Sequence, residues 1–345
     1  MKSITNLDSS VYYQGQYWND IPRIAEYISE TLTGDKNKGW IENFKEKYAE
    51  RPFNHALFLN CGDGRWEREF VDRKIVKKVT AFDISPDLIE KARDLKGNRN
   101  IKYIVADANK VKFKKDSFNL VVNMAALHHV QYLNRLCLII ARSLKKGGIF
   151  ISYDFVGPAR NQYPLINYLL MKLVNLTLPK KIRKSPIGYP HLPTMLATDP
   201  TEAIHSNLIT KTIYQYFDVF EKRDIGGGIA YELFTHNLNF SKGVNKSLHV
   251  NSSIDKVLSV DYFLTKLVII PNFFSFILAK PNKNILKNLG KVKNLQRREN
   301  IREKYSQMLY NTYTLKDYVI MLIHSGSWRK RATMIIKYLT IHLGS

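Results

Sequence analysis

The chain is poor in cysteine, short of acid for the base it carries, and free of long apolar runs. Two cysteines, Cys61 and Cys137, in 345 residues cannot build a disulfide framework or a four-cysteine zinc site. The most apolar stretches, 165–178 and 267–278, are broken by Asn, Lys or Pro and fall short of the ~20 residues that cross a bilayer. The opening MKSITNLDSSVYYQGQYW lacks the apolar core of a secretory leader. These absences predict a soluble, cytoplasmic chain that holds no metal. The shortage of acid is the strongest signal: 53 Lys and Arg against 30 Asp and Glu, a net charge of +23. Such a balance favours anionic partners, whether nucleic acid, a membrane surface or a phosphorylated substrate, without choosing among them. Residues 282–345 alone carry 13 Lys and Arg against 3 acids, and read as a basic helical appendage.

What is present supports a substantial core, since 45% of the residues are apolar and 12% aromatic. Residues 20–50 have helical spacing through Ile24, Ile28 and Leu32, with a break at Gly34. A regular alternation follows. Short apolar strands are expected at 56–60, 78–83, 101–107, 118–123 and 148–154. Helices are expected between them at 66–73, 86–95 and 133–144, the second capped by Ser85. Strands alternating with helices of this length imply parallel crossovers and a doubly wound α/β sheet. Beyond Asp154 the pattern loosens: residues 157–205 hold seven of the twelve prolines and one helical run, 165–178. Further strands are expected at 217–225, 229–240 and 273–280, with Gly226-Gly227-Gly228 as the turn between the first two.

In a doubly wound sheet, ligands bind beyond the C-terminal ends of the strands, which directs attention to the residues there. Asn60 ends the first strand, and Gly62 and Gly64 form a glycine turn where backbone N–H groups can approach a ligand. Glu67 occupies the place where a dinucleotide-binding turn has its third glycine, which argues against a dehydrogenase. Asp83 ends the second strand, where a carboxylate can accept both ribose hydroxyls; a helix N-terminal acid before Ser85 is the plainer reading. Asp107 with Ala108 could take an adenine amino group, or stand as an exposed turn. Asn123, His128 and His129 lie where the fourth strand opens into a loop. Asp154 ends the fifth.

Taken in order, LNCGDG (59–64), FDIS (82–85), ADA (106–108), NMAALHHV (123–130) and LKKGG (144–148) resemble the motifs of class I S-adenosylmethionine-dependent methyltransferases. The resemblance implies a seven-stranded, mostly parallel, Rossmann-like sheet whose last strand is reversed, with 273–280 as the candidate. It implies S-adenosylmethionine as cofactor, held by Asn60, Gly62, Gly64, Asp83, Ile84, Asp107, Ala108 and Asn123. Asn60 stands where the family usually has an acid, so the methionine amino group needs another partner. A narrower similarity, through 154–160, 199–204 and 225–228, is to methyltransferases of bacterial surface-polysaccharide and glycan clusters. It points to a sugar or glycan hydroxyl as acceptor, a small molecule rather than nucleic acid.

Three divisions follow: 1–54 as a helical lead-in and flap, 55–281 as the methyltransferase domain with a lid-like insertion near 157–215, and 282–345 as the appendage. Asp154, His128 and His129 are the candidate catalytic groups, with a solvated loop or an anchoring role as the alternative for each. Tyr12, Tyr13, Tyr17 and Trp18 could form an aromatic flap or simply pack. A non-catalytic adaptor, peripheral to an anionic inner membrane face through 282–345, and a nucleic-acid methyltransferase are the competing readings. Against the latter, 123–126 lacks the proline-rich aromatic loop expected of an exocyclic-amine enzyme, and neither cysteine is placed to attack a pyrimidine.

Overall fold

The computed structural model describes residues 17–185, 187–190, 199, 201–237, 239, 248–286 and 297. Tyr12, Tyr13 and nearly all of the basic 282–345 segment lie outside them. Among the described residues, no helix is long and apolar enough to cross a membrane.

The five expected strands are β1 (Ala56–Leu59), β2 (Val79–Asp83), β3 (Ile101–Val105), β4 (Phe118–Met124) and β5 (Leu144–Phe155). They pair in parallel, and with β6 (Phe217–Gly226) and β7 (Phe274–Pro281) form one seven-stranded sheet in the order β3-β2-β1-β4-β5-β7-β6. β7 runs antiparallel to both its neighbours. It is the only reversed strand, so the sheet is mostly parallel and Rossmann-like.

All four residues of β1 are buried, because both faces of the sheet are covered. Ala56 and Phe58 face one core with α1 (Pro22–Thr33), α2 (Trp40–Tyr48) and α3 (Arg65–Asp72); Leu57 and Leu59 face a second core with α5 (Leu133–Ser143). Ser85 caps α4 (Pro86–Leu95) through a bond from Leu88 N, with Pro86 opening the helix. The remaining helices are α6 (Leu165–Thr177), α7 (Ile209–Tyr216), α8 (Ala230–Phe234), α9 (Leu248–Lys266) and α10 (Lys283–Leu286).

Two sequence expectations are corrected. Residues 229–237, expected as a strand, are not one: a helix opens there at Ala230. Buried Asp261 on α9 accepts the N–H groups of Gly227 (2.8 Å), Ile229 (2.6 Å) and Ala230 (2.9 Å), so the turn after β6 is folded into the start of α8. The fifth strand, expected from 148, starts earlier, at Leu144. The last carbonyls of α5 are taken by Asp116 N (3.1 Å) and Ser117 N (2.7 Å), and 145–148 forms an irregular start to β5, where the register against β4 shifts and Gly147 turns at φ +79°. Trp18 is no flap: it is buried, stacked on Phe274 at 5.4 Å.

Candidate active site

Parallel strands deliver their C-terminal ends to one edge, and hydrogen bonds lace the loops there together. Gly62 N donates to Asp83 Oδ2 at 2.9 Å, joining the glycine turn to the end of β2. Ala106 N donates to Asp83 O at 2.8 Å. Asn60 Nδ2 reaches Ala126 O at 3.3 Å, and Asn109 Oδ1 accepts from Gln131 N (3.1 Å) and Tyr132 N (3.0 Å). Asn60, Gly62, Gly64, Asp83, Asp107 and Ala108 are therefore brought together on a single rim with the β4 loop. Gly64 must be glycine: its φ is +77°, and a Cβ there would lie 2.2 Å from the Tyr103 hydroxyl.

This rim fits an adenosyl group. Asp83 is buried, its Oδ1 accepting from Ser85 N and its Oδ2 from Gly62 N, each at 2.9 Å, and a carboxylate with about four lone-pair sites has room for ribose hydroxyls besides. Burial raises its pKa, while those two N–H groups and the nearby His129 oppose the rise. Ile84 stands half-exposed beside it as an apolar wall. Cys61 in the same turn is no nucleophile, since burial pushes its thiol far up. Asn123 differs from the rest. It is fully buried; its amide donates to Ser152 Oγ (2.8 Å) and Asp154 Oδ2 (2.7 Å), and its carbonyl accepts from Ala126 N and Leu127 N. That side chain shapes the β4 loop from beneath.

The same loop carries the histidines. His128 Nδ1 meets Asp154 Oδ1 at 2.6 Å, and Asp154 also accepts from Ala126 N (3.2 Å) and Leu127 N (2.8 Å). Burial pulls the His128 pKa down, but the charge and hydrogen bond of Asp154, backed by Glu202 and Asp199, push it up to about 9. His129 moves the opposite way, lowered first by burial and then by the charge of His128, its ring 4.1 Å away. One histidine is thus cationic and its neighbour neutral at pH 7.

Sequence reasoning singled out no role for Glu202, Asp199 or Thr201, which the structure folds over the pair. Thr201 Oγ1 lies 2.7 Å from Asp199 Oδ1 and 3.1 Å from His129 Nδ1. With the hydroxyl proton given to the carboxylate, Oγ1 accepts from His129 Nδ1–H, which makes Nε2 the basic nitrogen. Glu202 Oε2 faces both rings, 3.9 Å from each Nε2. The segment is tied down by Ile204 N to His128 O (3.0 Å) and by Arg160, whose guanidinium donates to Glu202 O (3.1 Å). Burial raises the Tyr17 and Tyr231 phenol pKa values, and Glu202 adds to the rise at both, behind Glu232 at Tyr231.

His128, His129 and Glu202 also have the residue types of a metal site, with donor atoms within 4.8 Å of one another. Zinc bonds of about 2.1 Å at tetrahedral angles would set them roughly 3.4 Å apart. The gaps are wider, and the imidazolium between two carboxylates already balances charge. A proton-handling cluster accounts for the arrangement.

Residues 57–152 match the model of a methyltransferase domain family. The methyltransferase YcgJ of Bacillus subtilis is 25% identical over 145 residues, 41% of this chain and 56% of YcgJ, so the likeness spans about half of that relative. The ubiquinone/menaquinone biosynthesis C-methyltransferase UbiE of Desulfotalea psychrophila is 26% identical over 208 residues, 59% of this chain and 82% of the relative. A solved S-adenosylmethionine-dependent methyltransferase from Mesorhizobium loti, 17% identical, aligns over 67% of this chain and 91% of its own with a TM-score of 0.42. Residues 57–152 thus carry the likeness to a methyltransferase domain.

Proposed function

We propose that the chain transfers a methyl group to a hydroxyl of a sugar or glycan-type small molecule, with His129 as the proton acceptor. The observation that carries this reading is the divergence of two adjacent histidines at the cofactor rim, one held cationic by Asp154 and the other neutral with Nε2 as its basic nitrogen. Bound at the rim, S-adenosylmethionine supplies an electrophilic methyl on a sulfonium. The Gly62–Gly64 turn and Asn60 would hold its methionine end, Asp83 the ribose, and Asp107, Ala108 and Ile84 the adenine. Asn123 supports the loop above.

The acceptor hydroxyl would lie between His129 Nε2 and Glu202. As its oxygen takes the methyl and the carbon–sulfur bond breaks, its proton passes to Nε2. General base assistance of this kind contributes about 10²–10⁴-fold, and alignment of the two reactants a larger share, roughly 7–11 kcal/mol. His128, cationic, fixes Glu202 and the developing charge; Asp154 positions His128. Arg160, Thr201 and Glu202, tied over the pair, exclude water from it. In this reading the unit spanning 55–281 does the chemistry in the cytoplasm, with 17–54 packed on it and 282–345 resting on anionic membrane.

A second reading has specific support: UbiE is by name a C-methyltransferase, and the same base could take a proton from an acidic carbon. Incubation with methyl-labelled cofactor, sugar nucleotides and cell-envelope fractions tests both. Label on a sugar oxygen is expected, lost about 10²-fold or more in His129→Asn while calorimetric binding of S-adenosylmethionine is kept. Label on carbon, or full activity in His129→Asn, would overturn the assignment.

A further inference from the structure

Helix α6 is assembled with its polar side inward. Asn167 and Asn175 are buried. Asn167 Nδ2 donates to Gly228 O at 2.9 Å, and Asn175 bonds both ways with the Lys184 backbone, at 2.8 and 3.0 Å. Tyr168 and Met171 complete that face. Leu165, Ile166, Leu169, Leu173 and Leu176 point outward, each 47–60% exposed, and at 3.6 residues per turn they share one arc of about 100°. Globular helices normally show the reverse pattern. Because both asparagines are bonded, the helix cannot roll its leucines inward without orphaning buried amides. A fixed, contiguous apolar face of this kind marks a contact surface.

The segment that carries it has charge of one sign. Between Asp154 and Asp199 the chain has six Lys and Arg and no Asp or Glu. Lys172 flanks the arc, its ammonium 4.9 Å from the Tyr168 ring, and exposed Lys180 and Lys181 follow the end of the helix. A second apolar stretch adjoins it. Leu267, Val268 and Ile269 are exposed, Val268 at 85%, and the residues after them, Ile270 and Pro271, pack against the same Gly228 that anchors Asn167.

We propose that the α6 face, with the 267–269 turn, seats the chain on an anionic bilayer surface. The leucines enter the acyl boundary, while Lys172, Lys180 and Lys181 meet lipid phosphates. Pairing of this face with its copy would bring like charges together, which favours lipid over self-association. The inference stands apart from the site chemistry and from 282–345. It places the acceptor site beside the membrane, because Arg160, five residues before α6, is bonded to Glu202.

The test is flotation of the full-length protein with phosphatidylcholine vesicles, with and without phosphatidylglycerol. Binding to the anionic vesicles, weakened by salt, is expected. Leu169→Glu/Leu173→Glu should reduce it about tenfold or more with melting temperature and S-adenosylmethionine binding unchanged, and Lys180→Glu/Lys181→Glu should weaken the anionic preference. Three outcomes overturn the proposal: wild type that does not float, a leucine variant that floats equally well, or a wild-type dimer that the leucine variant converts to monomer.

Discussion

Two buried aspartates, Asp154 and Asp261, solve the same folding problem and differ in what else they touch. Each lies within the core and gathers backbone N–H groups of a loop leaving a strand: Asp261 those of Gly227, Ile229 and Ala230 after β6, Asp154 those of Ala126 and Leu127 after β4. Burial raises the Asp261 pKa and its three N–H partners hold the rise in check; its job ends with the turn. Asp154 has an ionisable partner, His128, at 2.6 Å. One device serves as scaffold in one place and sets the charge of the site in the other. A carboxylate becomes functional here through what it faces across the loop.

The comparison can be tested from its strongest consequence downward. Asp261→Ala leaves three buried donors unpaired, at about 1–3 kcal/mol each. Denaturant unfolding should show a loss on the order of 3–9 kcal/mol, with turnover by the folded protein unchanged; a matching collapse of turnover would erase the distinction. Asp154→Asn should act on turnover as well as on stability. Turnover falls about 10²-fold or more, as expected when an orienting carboxylate is lost, and the His128 titration seen by NMR returns toward its ordinary value.

Stability against pH sharpens the contrast. His128 has its folded pKa raised to about 9, so its contribution is complete below the unfolded value of about 6.5 and is lost as pH rises through 9. That alkaline slope, of order 3 kcal/mol by linkage, should flatten in Asp154→Asn. Burial raises Glu67 to about 8. The neutral acid is thereby favoured in the fold, and stability also declines between about 4.5 and 8. Glu67→Gln should remove this lower part of the slope and leave the upper part, as thermal melts across pH would show. The smallest effect belongs to Tyr27→Phe, which deletes the bond to Ile225 O at 3.1 Å beside the Asp261 turn and should cost about 0.5–1.5 kcal/mol.

The first five strands were legible because parallel sheet strands buried on both faces read as short apolar runs between capped helices; Ser85-Pro86 marks the start of α4 without help from the rest of the chain. The stretch at 229–237 was not, because its fate is decided by Asp261, far along the sequence, overriding local strand preference. α9 buries Val250, Ile254, Val257 and Leu258 at helical spacing, a signal diluted by the polar residues between them. At the site, position at a strand end singled out Asp83, His128, His129 and Asp154. Nothing in the sequence set Glu202 and Thr201 across from those rings, since that depends on the bonds from Ile204 N to His128 O and from Arg160 to Glu202 O. Likewise Asn123 stands at a strand end, yet its amide is spent beneath the surface.

The reversed β7 has a mechanical consequence. A strand running against its neighbours brings its beginning to the working edge: Phe273 O holds Val156 N at 2.6 Å, and Ser275 sits opposite Asp154 in the ladder. The apolar turn at 267–269 lies a few residues upstream. Pressure on that outer knuckle would be carried along a stiff antiparallel hinge to the floor under the imidazole pair, so whatever grips the outside of the molecule has a short lever to its interior.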